Sequence, residues 1–221
     1  MRRSILFIVC LYFCSTMFGQ EYEIGVSIGG TNYVGDIGST SYINPNKLAG
    51  TVFFKYNYNP RVALKATYSY LPIAGDDAKA GSNFRNNRDL RFPNTINEVA
   101  LGLEFNFYEF DISSEDKSWT PYILVELVAF NYDIKTATAN KSKTALALPI
   151  GIGFKSKLIG NLAFSLETKF RYTFQDDLEY PKNIPNWDAF NFEGNSNDWY
   201  MFTGLSIIYT FGRPACYTKG L

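Results

Sequence analysis

Residues 161–174 read NLAFSLETKFRYTF, and their alternation decides the fold. Leu162, Phe164, Leu166, Phe170, Tyr172 and Phe174 fall on one side of an extended chain. Ser165, Glu167, Lys169 and Arg171 fall on the other. Side chains of a strand point alternately to opposite faces, so period two marks a strand, whereas a helix repeats near 3.6. Every charge in this stretch lies on the face opposite the large apolar groups.

The same pattern recurs seven more times, over 21–33, 47–59, 61–71, 94–110, 119–132, 143–157 and 198–212. In the first run Tyr22, Ile24, Val26 and Ile28 oppose Glu23, Gly25, Ser27 and Gly29. In the fourth Val99, Leu101, Leu103, Phe105 and Phe107 oppose Glu98, Gly102, Glu104 and Asn106. The fifth is less regular, because Leu124 and Val128 share a face with Glu126. In the sixth Pro149 cannot donate to a ladder, which predicts a bulge there. The connections alternate in length. Those at 34–46, 72–93, 133–142 and 175–197 read as long and polar, and those at 59–60, 111–118 and 158–160 as shorter.

Eight strands of bilayer-crossing length, joined by alternately long and short connections, predict an all-β fold: an eight-stranded antiparallel transmembrane β-barrel of outer-membrane type. Hydrocarbon cannot satisfy a free sheet edge, so the sheet must close. A soluble barrel would turn the apolar face inward. The many aromatic side chains on that face exceed what an eight-stranded interior holds. The long connections are then external, and both mature termini are periplasmic.

The N-terminus stands apart. Arg2 and Arg3 precede a mostly apolar run from Ser4 to Met17, followed by Gly19 and Gln20, which reads as a secretory signal. Cys10 and Cys14 raise a lipoprotein signal, but bulky Val9 and Phe13 precede them where small residues are needed. The expected organisation is a signal peptide at 1–19, a barrel at 20–212 and a periplasmic tail at 213–221. Cleavage removes two of the 21 basic residues and leaves 19 against 21 acidic ones. That balance gives no basic patch for nucleic acid. Cys216 in the tail is then the only cysteine left, either an isolated thiol or half of an intermolecular bridge.

Lys55, Lys65, Glu98, Glu104, Glu126, Glu167, Lys169 and Arg171 fall on the inward face. Mixed signs in a narrow interior are expected to pair across the lumen and plug it; a selective pore usually displays rings of one sign. Histidine is absent, which removes the usual general base of acyl-transfer chemistry. Asp76 with Asp77, and Asp176 with Asp177, lie in expected external loops and read as solvated carboxylates or a weak divalent-cation site. No catalytic residue, metal centre, cofactor or small-molecule substrate is expected. Gly29, Gly30, Gly35 and Gly38 follow a strand, but no helix opens after them, which excludes a nucleotide loop.

The stretch 22–38, YEIGVSIGGTNYVGDIG, resembles the opening of the PorG-like outer-membrane proteins of the type IX secretion system. The shared element is Tyr-x-Gly-Asp, here Tyr33, Gly35 and Asp36. Length, eight-strand layout and a short tail also resemble that family. The resemblance implies an anchoring role: a barrel that ties a periplasmic ring, built from a PorK-type lipoprotein and a PorN-type protein, to the outer membrane for protein export and gliding motility. The tail, with Arg213, Cys216 and Tyr217, is the expected docking segment. Two other readings remain. One is a free-standing barrel that binds external ligands through its loops, of which 175–197 carries Trp187, Phe190 and Phe192. The other is a small channel.

Overall fold

The computed structural model describes residues 21–110, 118–136, 139–175, 178 and 197–212. The strands are β1 (Glu21–Val34), β2 (Lys47–Asn59), β3 (Val62–Asp76), β4 (Arg91–Asn106), β5 (Trp119–Thr136), β6 (Ala139–Ile159), β7 (Leu162–Thr173) and β8 (Trp199–Gly212). A 3-10 turn (Asp77–Lys79) and a short helix α1 (Asn83–Arg88) lie between β3 and β4. Each strand pairs antiparallel with its neighbours in sequence, and β1 also pairs with β8, so the sheet closes into a barrel. Val26 faces Val52 on one side and Ile207 on the other.

Burial follows the period-two pattern, with the faces reversed relative to a soluble protein. Ile28 is 63% exposed and Leu127 59%, while Glu104 and Arg171 are 0% exposed. Outside, aromatic rings gather near both strand ends. Tyr22 stacks on Phe54 and Phe211, and Trp119 contacts Tyr108 and Phe154, at the end that holds the chain's first strand residue. Tyr172 meets Trp199 and Phe174 at the other. Girdles of this kind suit the two water–lipid interfaces.

Three expectations need correction. The strands run further into the long connections than the sequence suggests. Asp133 to Thr136 pairs with Ala139 to Ser142, so most of the expected loop 133–142 is paired strand. Asp76 likewise pairs with Arg91, which shortens the connection expected at 72–93. Apolar alternation marks where a strand meets lipid, whereas backbone pairing continues beyond it. Second, Pro149 creates no bulge. The β5–β6 register is the same at Val125↔Ile150 and Val128↔Ala147, with the rungs between them missing. An absent N–H removes a hydrogen bond without adding a residue. The bulges instead lie between Asn57 and Asn59 and between Lys157 and Ile159.

Third, those bulges shift the short turns by about a residue, onto positions 60–61 and 160–161. At the first turn Asn59 Oδ1 accepts from the amides of Arg61 and Val62, each at 2.8 Å. At the second, Gly160 has φ +52°, a conformation that favours glycine.

Candidate functional site

The inward face forms the candidate site, because it concentrates the buried charge. Strand parity alone sends Glu98, Glu104, Glu126, Glu167, Lys55, Lys65, Lys169 and Arg171 into the lumen, where each is at most 5% exposed. Glu23 and Lys155, at 2% and 0%, belong to the same set. Their own strands place them on the inner face, so parity was the signal that identifies them. The sequence reading left them out of the charge set.

Three groups follow one another along the barrel axis. Near the short-turn end, Lys55 Nζ lies 3.3 Å from Glu23 and 2.7 Å from Glu104, and Lys155 Nζ lies 2.7 Å from Glu104. Next, Lys65 Nζ reaches Glu167 at 2.7 Å, and Lys169 Nζ reaches Glu167 at 3.3 Å and Glu126 at 2.9 Å. Last, Arg171 grips Glu98 with Nε and Nη2, at 2.9 and 2.6 Å. Neutral donors join the set. Tyr122 Oη donates to Glu167 at 2.8 Å, Tyr200 Oη to Glu98 at 2.9 Å and Thr67 Oγ1 to Glu126 at 3.1 Å. Phe53 lies under the Lys65 ammonium at 4.6 Å, a cation–π contact.

Most of these pairs cross the lumen. Lys55 on β2 meets Glu104 on β4, Lys65 on β3 meets Glu167 on β7, and Glu98 on β4 meets Arg171 on β7. An unpaired buried charge costs far more than a paired one, so the network favours one closed arrangement of all eight strands. Fully buried Tyr122, Tyr132, Tyr200, Phe130 and Phe202 share the interior with these charges.

Buried apolar side chains sit at both ends of the lumen. At the short-turn end Phe110 turns inward, 7% exposed, with its amide on Pro60 O and its ring 4.6 Å from Lys155 Nζ. At the long-loop end Tyr33, Ile37, Phe92 and Leu178 pack together and are buried. Here the Tyr-x-Gly-Asp element takes its place. Tyr33 Oη donates to Asp198 Oδ1 at 2.5 Å. A side chain on Gly35 would strike that same Tyr33 hydroxyl. The Asp36 carbonyl accepts from Arg88 Nη2 at 2.6 Å. Burial pushes the half-buried Asp36 carboxyl up, against the opposing pull of Arg85 and Arg88. The element therefore builds the cap.

Asp77, fully buried, ties this cap together. It accepts from the Gly38 amide at 2.8 Å and from Arg88 Nε at 2.6 Å. Asp76 caps the 3-10 turn through the Ala78 amide and pairs with Arg91 at 3.1 Å. The two carboxylates thus have separate structural duties and do not converge on a cation. Among the described residues no cluster of histidine, cysteine, aspartate or glutamate is arranged to hold a metal. Asp176, Asp177, Trp187, Phe190 and Phe192 lie outside the described residues, as do the signal segment 1–19 and the tail with Arg213, Cys216 and Tyr217.

Comparison with known proteins gives a family and a fold. A family profile described as "Domain of unknown function (DUF6089)" matches residues 2–220. No curated protein matches the sequence. Ail, the attachment invasion locus protein of Yersinia pestis, whose structure was solved with the heparin analogue sucrose octasulfate, is similar at TM-score 0.50. Identity is 11%, covering 87% of this chain and 99% of that one. The N-terminal β-barrel domain of Pseudomonas aeruginosa OprF gives TM-score 0.49 at 12% identity, covering 86% of this chain and 97% of that one. Neisserial surface protein A gives 0.49 at 10%, covering 87% and 97%. At such identities the likeness to Ail is one of fold alone.

Proposed function

The chain belongs to the DUF6089 family, and we propose that it spans a bacterial outer membrane as a sealed barrel and anchors the periplasmic ring of a type IX secretion system. The observation that carries the membrane reading is the reversal of faces: large apolar side chains outside, ion-paired charges inside. Water would leave that exterior unsolvated, and lipid solvates it. An interior occupied by paired charges and buried rings favours a role played by surfaces over one played by a passage or a catalytic pocket.

The ring assignment rests on the resemblance carried by Tyr33, Gly35 and Asp36. In this reading the long connections are external and the short turns periplasmic. The short turns at 60–61 and 160–161, with the tail residues Arg213, Cys216 and Tyr217, form the face offered to the PorK-type lipoprotein and the PorN-type protein. The signal at 1–19 directs export and is removed. The role requires no cofactor and no small-molecule substrate.

Affinity purification of the tagged protein from outer membranes in mild detergent, followed by mass spectrometry, tests the assignment. We expect a periplasmic lipoprotein and a ring protein to co-purify in fixed ratio, and to be lost when 213–221 is deleted. A barrel that purifies alone contradicts the anchoring role and favours a free-standing barrel that acts through its external loops.

A further inference from the structure

We propose that the open edge of β6 beyond Ala147 is a docking site for an acidic polypeptide segment, which adds to the sheet as an extended strand. The site is independent of the ring assignment above. On one side β6 stays paired with β5 as far as Thr136↔Ala139. On the other, its pairing with β7 stops at Ala147↔Thr173. Residues 139–146 therefore meet no strand on that side among the described residues. Every second residue of a strand turns its N–H and C=O to the same side, so this stretch offers a row of backbone donors and acceptors.

The chain after β7 turns the other way. It bends at Phe174, and its backbone bonds lie on the β8 side: the Thr173 amide donates to Asp198 O at 3.1 Å, and Gln175 O accepts from the Asp198 amide at 3.0 Å. Leu178 is then buried beside Tyr33 and Phe92, with its carbonyl on Asn94 Nδ2 at 2.8 Å. A side-chain contact, Lys143 Nζ on Gln175 Oε1 at 2.6 Å, joins β6 to this segment. The edge of β5 is treated differently. β4 and β5 part above Asn97↔Asn131, and the Asn94 amide takes the place of a rung. Its Nδ2 donates to Asp133 O at 3.2 Å, and its Oδ1 accepts from the Asp133 amide at 3.4 Å. One edge is stitched and the other is left open.

A row of backbone groups selects an extended polypeptide as the occupant. The edge is regular: no proline or glycine interrupts 139–146, and its register with β5 is constant from Thr136↔Ala139 to Val128↔Ala147. Charge selects the composition. The stretch reads ANKSKTAL, with two lysines and no acidic residue. Lys141 and Lys143 share one face, with Ser142 and Thr144 on the other, and Lys141, Ser142 and Thr144 are exposed. A second copy of this edge, paired antiparallel, would set lysine against lysine, which disfavours a dimer. An incoming strand with carboxylates at alternate positions meets the lysines and turns its remaining side chains to the face of Ser142 and Thr144.

Titration of the full-length protein in lipid nanodiscs with a fluorescent peptide of alternating glutamate and threonine tests the site, with hydrogen exchange followed by NMR. We expect saturable binding and several-fold slower exchange within 139–146, with no change in β2. Lys141→Glu, an exposed substitution, should weaken binding about tenfold or more. The corresponding lysine–threonine peptide should not bind. Nor should the glutamate–threonine peptide once N-methylated throughout, which keeps its charge and loses its donors. Absence of binding by the unmodified peptide, or binding that survives N-methylation or Lys141→Glu, would overturn the proposal. So would protection of every amide in 139–146 before peptide is added, which would mean that the chain's own residues cover the edge. Maleimide labelling of Ser142→Cys on intact cells, in a Cys216→Ser background, tests the membrane orientation separately.

Discussion

Lys55 and Lys65 stand directly opposite one another on β2 and β3, both buried. Like charges in that relation repel. Glu104 and Glu167 reach across the lumen and neutralise one lysine each. The pair Glu98–Arg171 carries the same logic in its most directional form, with two guanidinium donors on one carboxylate and the Tyr200 hydroxyl beside them. Arg171→Met should therefore cost about 3–5 kcal/mol, chiefly because Glu98 is left charged and buried. Glu98→Gln combined with Arg171→Met should recover most of that loss. Urea unfolding in lipid vesicles, followed by tryptophan fluorescence, measures both; a double variant no more stable than Arg171→Met would contradict the account. Strand parity made the inward placement of these residues legible from sequence. Their partners were not legible, because Lys65 with Glu167 and Glu98 with Arg171 join strands that are not neighbours in sequence. Closure of the barrel sets which charges meet. Tyr122 and Tyr200 were missed for a related reason: an inward tyrosine reads as filler until a carboxylate from another strand arrives at its hydroxyl.

At the scale of the element, β5 and β6 show where lipid ends and water begins. Their outward residues are apolar through Ala129 and Leu146, then turn polar at Asn131 and Thr144. Above that line the strands stay paired, and Ser142 Oγ donates to Asn131 Oδ1 at 2.6 Å. In a Cys216→Ser background, Asp133→Cys and Ser142→Cys should react with a membrane-impermeant maleimide added to intact cells. Leu127→Cys and Leu146→Cys should not. Labelling of the second pair, or of neither, would contradict both the boundary and the external placement of the long connections. The sequence located the lipid-crossing part of these strands well, since eight repeats of one pattern reinforce one another. It ended them early, because a polar ribbon carries no apolar alternation. Pro149 misled for a simpler reason. A missing donor and an added residue both interrupt a ladder, and only the register, constant from Val125↔Ile150 to Val128↔Ala147, tells them apart.

At the scale of the whole molecule, the barrel is braced inside by crossing ion pairs and packed with apolar side chains at its ends, Phe110 at one and Tyr33, Ile37, Phe92 and Leu178 at the other. Hydroxyls that face the belt satisfy one another, as Thr168 and Thr203 do at 3.1 Å. That suits a medium without water to replace them. The fold was legible because an eight-fold repeat over-determines it. Function was less so, since the described lumen charges are paired with one another and point to no outside partner. The Tyr33, Gly35 and Asp36 element proved to be part of the cap, so its chemistry concerns the stability of one mouth, while the proposed partners lie at the other.

The central claim is that apolar faces meet lipid while charged faces pack inside. A spin-label scan of β4 from Asn97 to Phe105, in vesicles and in a Cys216→Ser background, tests it most directly. Collision with oxygen, which concentrates in lipid, and with a water-soluble nickel chelate is measured at each position. We predict oxygen maxima at Val99, Leu101, Leu103 and Phe105, with low access to both reagents at Ala100; Gly102, where a Cβ would lie 2.2 Å from Val125 O, is left unsubstituted. Nickel access at the outward positions, or no period-two alternation in oxygen access, would contradict the account.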